Sequence, residues 1–338
     1  MQRLALIVAS TSLGLSAHAD ARTFSSDDFA DLSFRQPVEP TEPAPALREE
    51  EARLPFANVR DAAEGPGRGV SVTVRGFGRY TFDADLDDAQ GSVSIARTRA
   101  GVTIAAPIGE KFRLVTDFSG EASFWDFDGA TGILPGTDDP WDDLYNLDLR
   151  VTGIYQFDDN WSLIGGGFVG LGWEPGADLG EAVTGGGFGS VGYRFSDNLT
   201  LSFGVAASSR LEDDARVIPI VGVRWQVNDQ VLVESRGPGL RVRVDPNDDW
   251  AFFFQGGAEF RNYRLDEDGP LPDGVVDDVR IPIEAGVIWS PAGGLELELS
   301  GGAIVYQEFD IKTGSGRDFS EPETDPAGFI SLALRWTF

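Results

Sequence analysis

The chain has 338 residues, 27 of them basic and 55 acidic, for a formal net charge of −28 with its single histidine neutral. That balance lacks the basic footprint that nucleic-acid binding requires. With no cysteine among the residues, disulfide frameworks, zinc–thiolate sites and thiol chemistry are excluded as well.

In chain order, residues 1–19 read as a secretory signal peptide: Arg3, an apolar stretch from Leu4 to Leu15, and the cleavage pattern Ala17-His18-Ala19. The apolar run is too short for a transmembrane helix. Residues 20–69 read as a Pro-rich, acidic, disordered tail. They carry Pro37, Pro40, Pro43 and Pro45 in close succession, which favours extended chain and cannot build a packed core.

From Val70 to Phe338 the hydrophobic pattern has period two, the signature of strands with one apolar and one polar face. Ile330, Leu332, Leu334, Trp336 and Phe338 alternate with Ser331, Ala333, Arg335 and Thr337. Fourteen such segments are expected, near 70–82, 91–106, 111–125, 145–157, 161–173, 183–195, 199–208, 216–227, 230–235, 239–245, 250–264, 278–289, 295–308 and 327–338. The pair at 230–245 is short and hinges on Gly237-Pro238-Gly239; read as loop, it reduces the count to twelve.

Short connections alternate with longer ones at 83–90, 126–144, 174–182, 209–215, 265–277 and 309–326; only 236–238 breaks the rule. Short turns at one end and long loops at the other outline an up-and-down barrel. Phe112, Phe157, Trp161, Tyr193, Phe195, Trp225, Trp250, Trp289, Trp336 and Phe338 flank the short turns or the C-terminus. Tyr80, Phe82, Phe124, Tyr145, Trp173, Phe260, Tyr306 and Phe329 flank the long loops. Two aromatic girdles suit a bilayer, because amphipathic rings settle at headgroup level.

The ending Leu332-Ala-Leu-Arg-Trp-Thr-Phe338 resembles the C-terminal strand of Gram-negative outer-membrane β-barrel proteins, and the resemblance extends over about 70–338. In outline the chain is similar to barrel families of unknown function. The resemblance implies an all-β fold, an antiparallel transmembrane β-barrel in the bacterial outer membrane. It also implies that Trp336 and Phe338 serve as an assembly signal read by the barrel-assembly machinery, with outer-membrane lipid as the surrounding partner.

The strand charges fall at inward parity. An Arg facing lipid at the midplane costs about 2–4 kcal/mol, so this partition is enforced. The expected lumen-lining set is Arg75, Arg79, Arg97, Arg99, Arg113, Glu121, Arg150, Arg224, Arg241, Arg243, Glu259, Arg261, Arg280, Glu284, Glu296, Glu298 and Arg335. Arg241 and Arg243, on a short basic strand, are the candidates for the narrowest ring. The wall is either a charged pore surface or a salt-bridge lattice that fills the interior.

No metal or cofactor site is expected. Asp83, Asp85 and Asp87 begin like a calcium loop, but Asp88 stands where glycine is required and Ser94 where glutamate is. Gly165, Gly167 and Gly170 match a dinucleotide fingerprint by letter, yet a strand follows instead of a helix. Catalysis is not expected either: the chain beyond the signal has no histidine and no G-x-S-x-G elbow. Glu296 and Glu298 share a face as a paired carboxylate, for which Arg280 and Arg335 are the competing partners. The expected function is a passive, porin-like channel for small hydrophilic solutes or ions. The alternative is a structural or adhesive barrel with a filled lumen and acidic surface loops.

Overall fold

Alternating side chains with paired backbones leave no edge only when a sheet closes on itself, and the computed structural model of this protein does so. It describes residues 69–338 except Asp88 and Ala292. The expected signal peptide and all of the expected tail but Gly69 lie outside the described residues. The strands are β1 (Ser71–Asp87), β2 (Ser92–Ile108), β3 (Phe112–Asp128), β4 (Leu144–Gln156), β5 (Trp161–Trp173), β6 (Val183–Ser196), β7 (Leu199–Arg210), β8 (Asp213–Asn228) and β9 (Val231–Ser235). They continue with β10 (Gly239–Val244), β11 (Trp250–Gly257), β12 (Glu259–Arg264), β13 (Val275–Trp289), β14 (Leu295–Lys312), β15 (Asp318–Ser320), β16 (Glu323–Thr324) and β17 (Ala327–Thr337).

Each wall strand pairs antiparallel with the next. β11 and β12 are one wall strand broken at Ala258, and β15 and β16 belong to the last long connection. The described residues therefore form a fourteen-strand barrel. The seam joins β1 to β17, with Val74 opposite Trp336 and Thr81 opposite Phe329. Val72 and Phe338 exchange both backbone hydrogen bonds, at 2.9 and 3.0 Å.

The outward rows are apolar and exposed: Val205, Val217, Val221, Phe252, Phe254, Leu332 and Leu334 among many. Below them, Trp161 packs on Tyr193, Trp250 on Trp289 and Trp336 on Phe338, forming a ring of aromatics beside the short turns. Two aromatics expected at the other girdle stand elsewhere. Phe329 is buried inside, beneath the Arg79 guanidinium at 4.3 Å, because its parity matches Ser331 and Arg335. Phe260 sits on β12, which leaves the cylinder.

Two expected loops are largely strand. β1 continues to Asp87, and β7 and β8 are joined by Leu211 and Glu212 alone. Past the bilayer the outward face meets water and turns acidic at Asp83, Asp85 and Asp87, while Ala84 and Leu86 stay buried on the other face and the ladder continues, as in Asp85 opposite Ser92 and Arg210 opposite Asp213.

One bend positions everything that follows. At a single level, β11 carries Gly256-Gly257, β13 carries Pro282, which has no N–H to give a ladder, and β14 carries Val305 as an unpaired extra residue. Bulges and prolines each bend a strand. Above this line β12, β13 and the upper part of β14 fold into the barrel. Every residue from Val275 to Arg280 is buried, whichever face it points to. Arg264 reaches β5, nearly opposite in the ring, and pairs with Trp173. Asn262 presents its carbonyl to Gly172, where a side chain would collide with it.

Candidate functional site

The inward-folded sheet divides the upper lumen. On its first face β12 offers Glu259 and Arg261, and β13 offers Asp278, Arg280 and Glu284. The wall opposite supplies Arg79 from β1, Arg97 from β2 and Glu121 from β3. Arg79 bonds Glu259 at 2.9 Å and lies 3.6 Å from Glu284. Arg97 reaches Asp278 at 3.2 Å and Glu121 at 3.4 Å, and donates to Ser123 Oγ at 2.8 Å. Arg261 bridges Glu121 at 2.6 Å and Glu259 at 2.9 Å. Arg280 donates to Asp278 at 2.8 Å and rests over Trp125 at 5.2 Å.

These four arginines and four carboxylates balance, which is what allows so many charges to be withdrawn from water together. Above them lies an apolar cluster of Leu86, Ile95, Ile133, Trp141, Tyr263, Val276 and Phe309. It joins the first three strands and the 129–143 connection to the folded sheet.

The second face meets β5, β7 and β8. Arg210 pairs with Asp213, Asp277 and Asp310, and Lys312 with Asp213 and Asp310. Those three aspartates converge closely enough to hold a metal ion, but the guanidinium and the ammonium already supply the positive charge. Arg264 bonds Glu212 at 2.6 Å and the carbonyl of Asp273 at 2.7 Å. Glu174 accepts backbone N–H groups from Asp142 and Asp266, both at 2.8 Å. These contacts tie the 129–143, 174–182 and 265–274 connections together across the long-loop end.

The remaining expected lumen residues share the inward parity but lie lower or to the side. Arg75 pairs with Asp117, Arg99 with Asp148 at 3.3 Å, Arg224 with Glu234 at 3.2 Å, and Arg113 donates to Ser71 at 3.3 Å. Arg99 and Asp148 are 44 and 45% exposed, so water reaches them. Arg150 stands 5.8 Å over the Phe168 ring. Arg241 is buried on Glu298 at 2.7 Å with Phe253 beneath it at 3.7 Å, and Arg243 pairs with Asp245 at 2.7 Å. Neither arginine is the free cation that a selective ring needs. Glu296 is held by Arg335 at 2.8 Å, so Glu296 and Glu298 each have their own arginine.

Sequence reasoning missed Asp277, Asp278, Arg210, Arg264 and Lys312. All stand in or next to stretches where period two fades and water-exposed loop is the default reading. The signal that could have found them was Pro282 inside an otherwise regular strand, two residues after Arg280.

A different surface lines β5 to β8. Phe168 lies against Gly186 and Phe188 against Gly166; a Cβ on either glycine would strike a ring and a neighbouring carbonyl. The rings therefore lie flat on the wall. With Ala206, Ile218 and Ile220 at the same parity, this side is smooth and apolar.

The closed wall, apolar exterior and charged interior define an outer-membrane β-barrel protein. No protein family matches the chain, and no characterised protein matches it by sequence. Among solved structures it is similar to an outer-membrane channel from Pseudomonas putida F1, at 10% identity and TM-score 0.46 over 80% of this chain and 96% of that one. It is also similar to the Pseudomonas putida toluene transporter TodX, at 11% identity and TM-score 0.42 over 82 and 91%. The translocator domain of the autotransporter NalP from Neisseria meningitidis aligns at 14% identity and TM-score 0.37 over 83 and 92%.

Proposed function

We propose that the protein is an outer-membrane channel whose lumen opens at the short-turn end and is shut at the long-loop end by the inward-folded sheet of β12, β13 and β14. The observation that carries this reading is the ion-pair lattice from Arg79, Arg97 and Glu121 to Glu259, Arg261 and Asp278, which spans the lumen. Small hydrophilic solutes or ions enter the wetted lower lumen past Arg99 and Asp148, and porin-like permeation is limited by the sheet above.

Single-channel recording in planar bilayers tests this. The native protein gives small, brief conductance steps. Loosening the lattice with R97A and R261A, and shortening the 265–274 connection, enlarges them. A large steady conductance from the native protein overturns the reading.

A structural or adhesive barrel with a filled lumen is the second reading. The balanced lattice favours it, and silence from both native and loosened proteins would select it. In either case the barrel sits in outer-membrane lipid, and its Trp336–Phe338 ending is the segment offered to the barrel-assembly machinery.

A further inference from the structure

One stretch of the wall is too low to cross a bilayer. A membrane strand needs about 9–11 residues, yet β9 has 5 and β10 has 6. Their neighbours are tall: β8 has 16 residues, and β11 with β12 has 8 and 6. The turn Arg236-Gly237-Pro238 lies beside Gly257, midway between Trp250 and Arg264. Above that turn the wall has a gap. β8 pairs with β9 only from Arg224 downward, and higher up its described partner is β7 alone. β12 pairs with β13 and touches β5 through Arg264.

The residues at the gap suit an opening. Val223 N–H points away from β7 to Ser235 Oγ at 3.0 Å. Pro219 shares its parity, so the N–H that proline lacks is one that would have faced the gap unpaired. The sill is closed by Ala258 N–H on the Pro238 carbonyl, at 3.3 Å. The top is spanned by Arg216, whose guanidinium lies 4.9 Å from the Phe260 ring. Outside, Val217 and Val221 are 68 and 65% exposed on the lipid-facing row. Inside, Ile218 is 39% exposed and leads onto the apolar wall of Ala206, Phe188 and Phe168. Irregular backbone at membrane depth survives where it lines a cavity.

We propose that the gap between β8 and β12 above the β9–β10 turn is a lateral portal, through which a small apolar molecule passes between the lipid layer and the lumen. This rests on the channel reading and adds to it a second solute class, apolar and entering from the side, beside the hydrophilic solutes that enter the lower lumen. With the long-loop end shut, as that reading has it, the side is the outward route among the described residues. The inward rows of β5 to β8 place Phe168, Phe188, Ala206, Ile218 and Ile220 side by side, which offers an apolar solute a surface leading in from the gap, with Ser190 and Ser202 further along the same rows.

The native chain contains no cysteine, so single-cysteine variants report cleanly. The full protein is reconstituted into phosphatidylcholine vesicles carrying a nitroxide on the acyl chain, with bimane attached at I218C, V221C or R99C. Contact quenching at the inward I218C comparable to that at the lipid-facing V221C, with R99C unquenched, supports the portal. Quenching at I218C as weak as at R99C overturns it.

A second measurement reads the substrate class. N-phenyl-1-naphthylamine should bind saturably to the native protein. The double variant I218W/I220W should reduce saturable binding several-fold while the barrel still shows heat-modifiable migration, and the outward V217W should leave it unchanged. If the double variant does not fold, I218F replaces it. Saturable binding that is absent, or indifferent to plugging, refutes the apolar class. A large steady conductance would refute the closed long-loop end and leave the quenching pattern intact, so the two failures are distinguishable.

Discussion

The two sides of this lumen are built from opposite materials. From β13 through the seam to β3, the interior is a lattice in which Arg79, Arg97, Arg261 and Arg280 are matched to Glu121, Glu259, Asp278 and Glu284. From β5 to β8 it is glycine, small residues and rings lying against them. The ionic side binds the inward-folded sheet to the wall. The β5-to-β8 side meets the same sheet near the long loops, where Trp173 pairs with Arg264 and Arg210 with Asp277. Both sides use the same inward parity of the same ladder, so the difference lies in which side chains were placed there.

The largest expected effect breaks both sides together. Changing Trp336 and Phe338 to Ala removes the aromatic pair at the seam, where Val74 faces Trp336 and Val72 bonds Phe338. An unclosed sheet exposes edges that lipid cannot satisfy. The variant should yield almost no folded, heat-modifiable barrel in outer-membrane fractions; ordinary yield would show that the terminal aromatics are dispensable.

Breaking the ionic side alone comes next. Asp278 is fully buried and accepts from Arg280 at 2.8 Å, Gln307 at 3.1 Å and Arg97 at 3.2 Å. Asp278→Ala leaves two arginines buried with one carboxylate fewer, a loss of about 3–5 kcal/mol. Urea unfolding in lipid vesicles reads it, and loss below 1 kcal/mol, the range of an exposed pair, would mean water reaches the lattice.

The apolar side should yield less. Gly166→Ala forces a methyl against the Val151 carbonyl and the Phe188 ring. Overpacking of this kind costs about 1–3 kcal/mol. The displaced Phe188 ring should also narrow the lumen, so N-phenyl-1-naphthylamine binding falls along with stability.

The smallest effect is a control outside both regions. In the turn after β4, Asp158 Oδ1 accepts the N–H groups of Asn160 at 2.8 Å and Trp161 at 2.9 Å. Those two donors hold its carboxyl below the usual carboxylate range. A depressed folded pKa means the contribution is complete at neutral pH and disappears as pH falls through the folded value. Asp158→Ala should therefore be slightly less stable than the native protein at pH 7 and indistinguishable from it in strong acid. A difference that persists in acid would assign the effect to packing.

The wall was legible in the sequence, because period two is a local property. A strand half in lipid must alternate, and Val72 to Tyr80 or Ile330 to Phe338 carry that rule within a few residues. The inward charges are expected for the same reason, and Arg97, Glu121 and Arg280 are buried at their ladder positions. The partners were not legible. Arg97 and Asp278 are 181 positions apart, and Asp277 and Asp278 fell in or beside what read as an acidic loop.

The sequence by itself determined a closed, antiparallel, lipid-facing barrel of fourteen strands or twelve, since alternation, turn residues and terminal aromatics each act over one hairpin; the structure makes 230–245 two short strands and the count fourteen. Only the tertiary structure decided what the interior does. Gly256-Gly257, Pro282 and the bulge at Val305 are individually ordinary, and they become a hinge only because three neighbouring strands carry them at one level. That hinge lays β12 across to Trp173. It converts inward charges from a solvated wall into a paired lattice and leaves the short β9 and β10 with nothing above them, because pairing across a lumen depends on distance in space, which a local pattern does not encode.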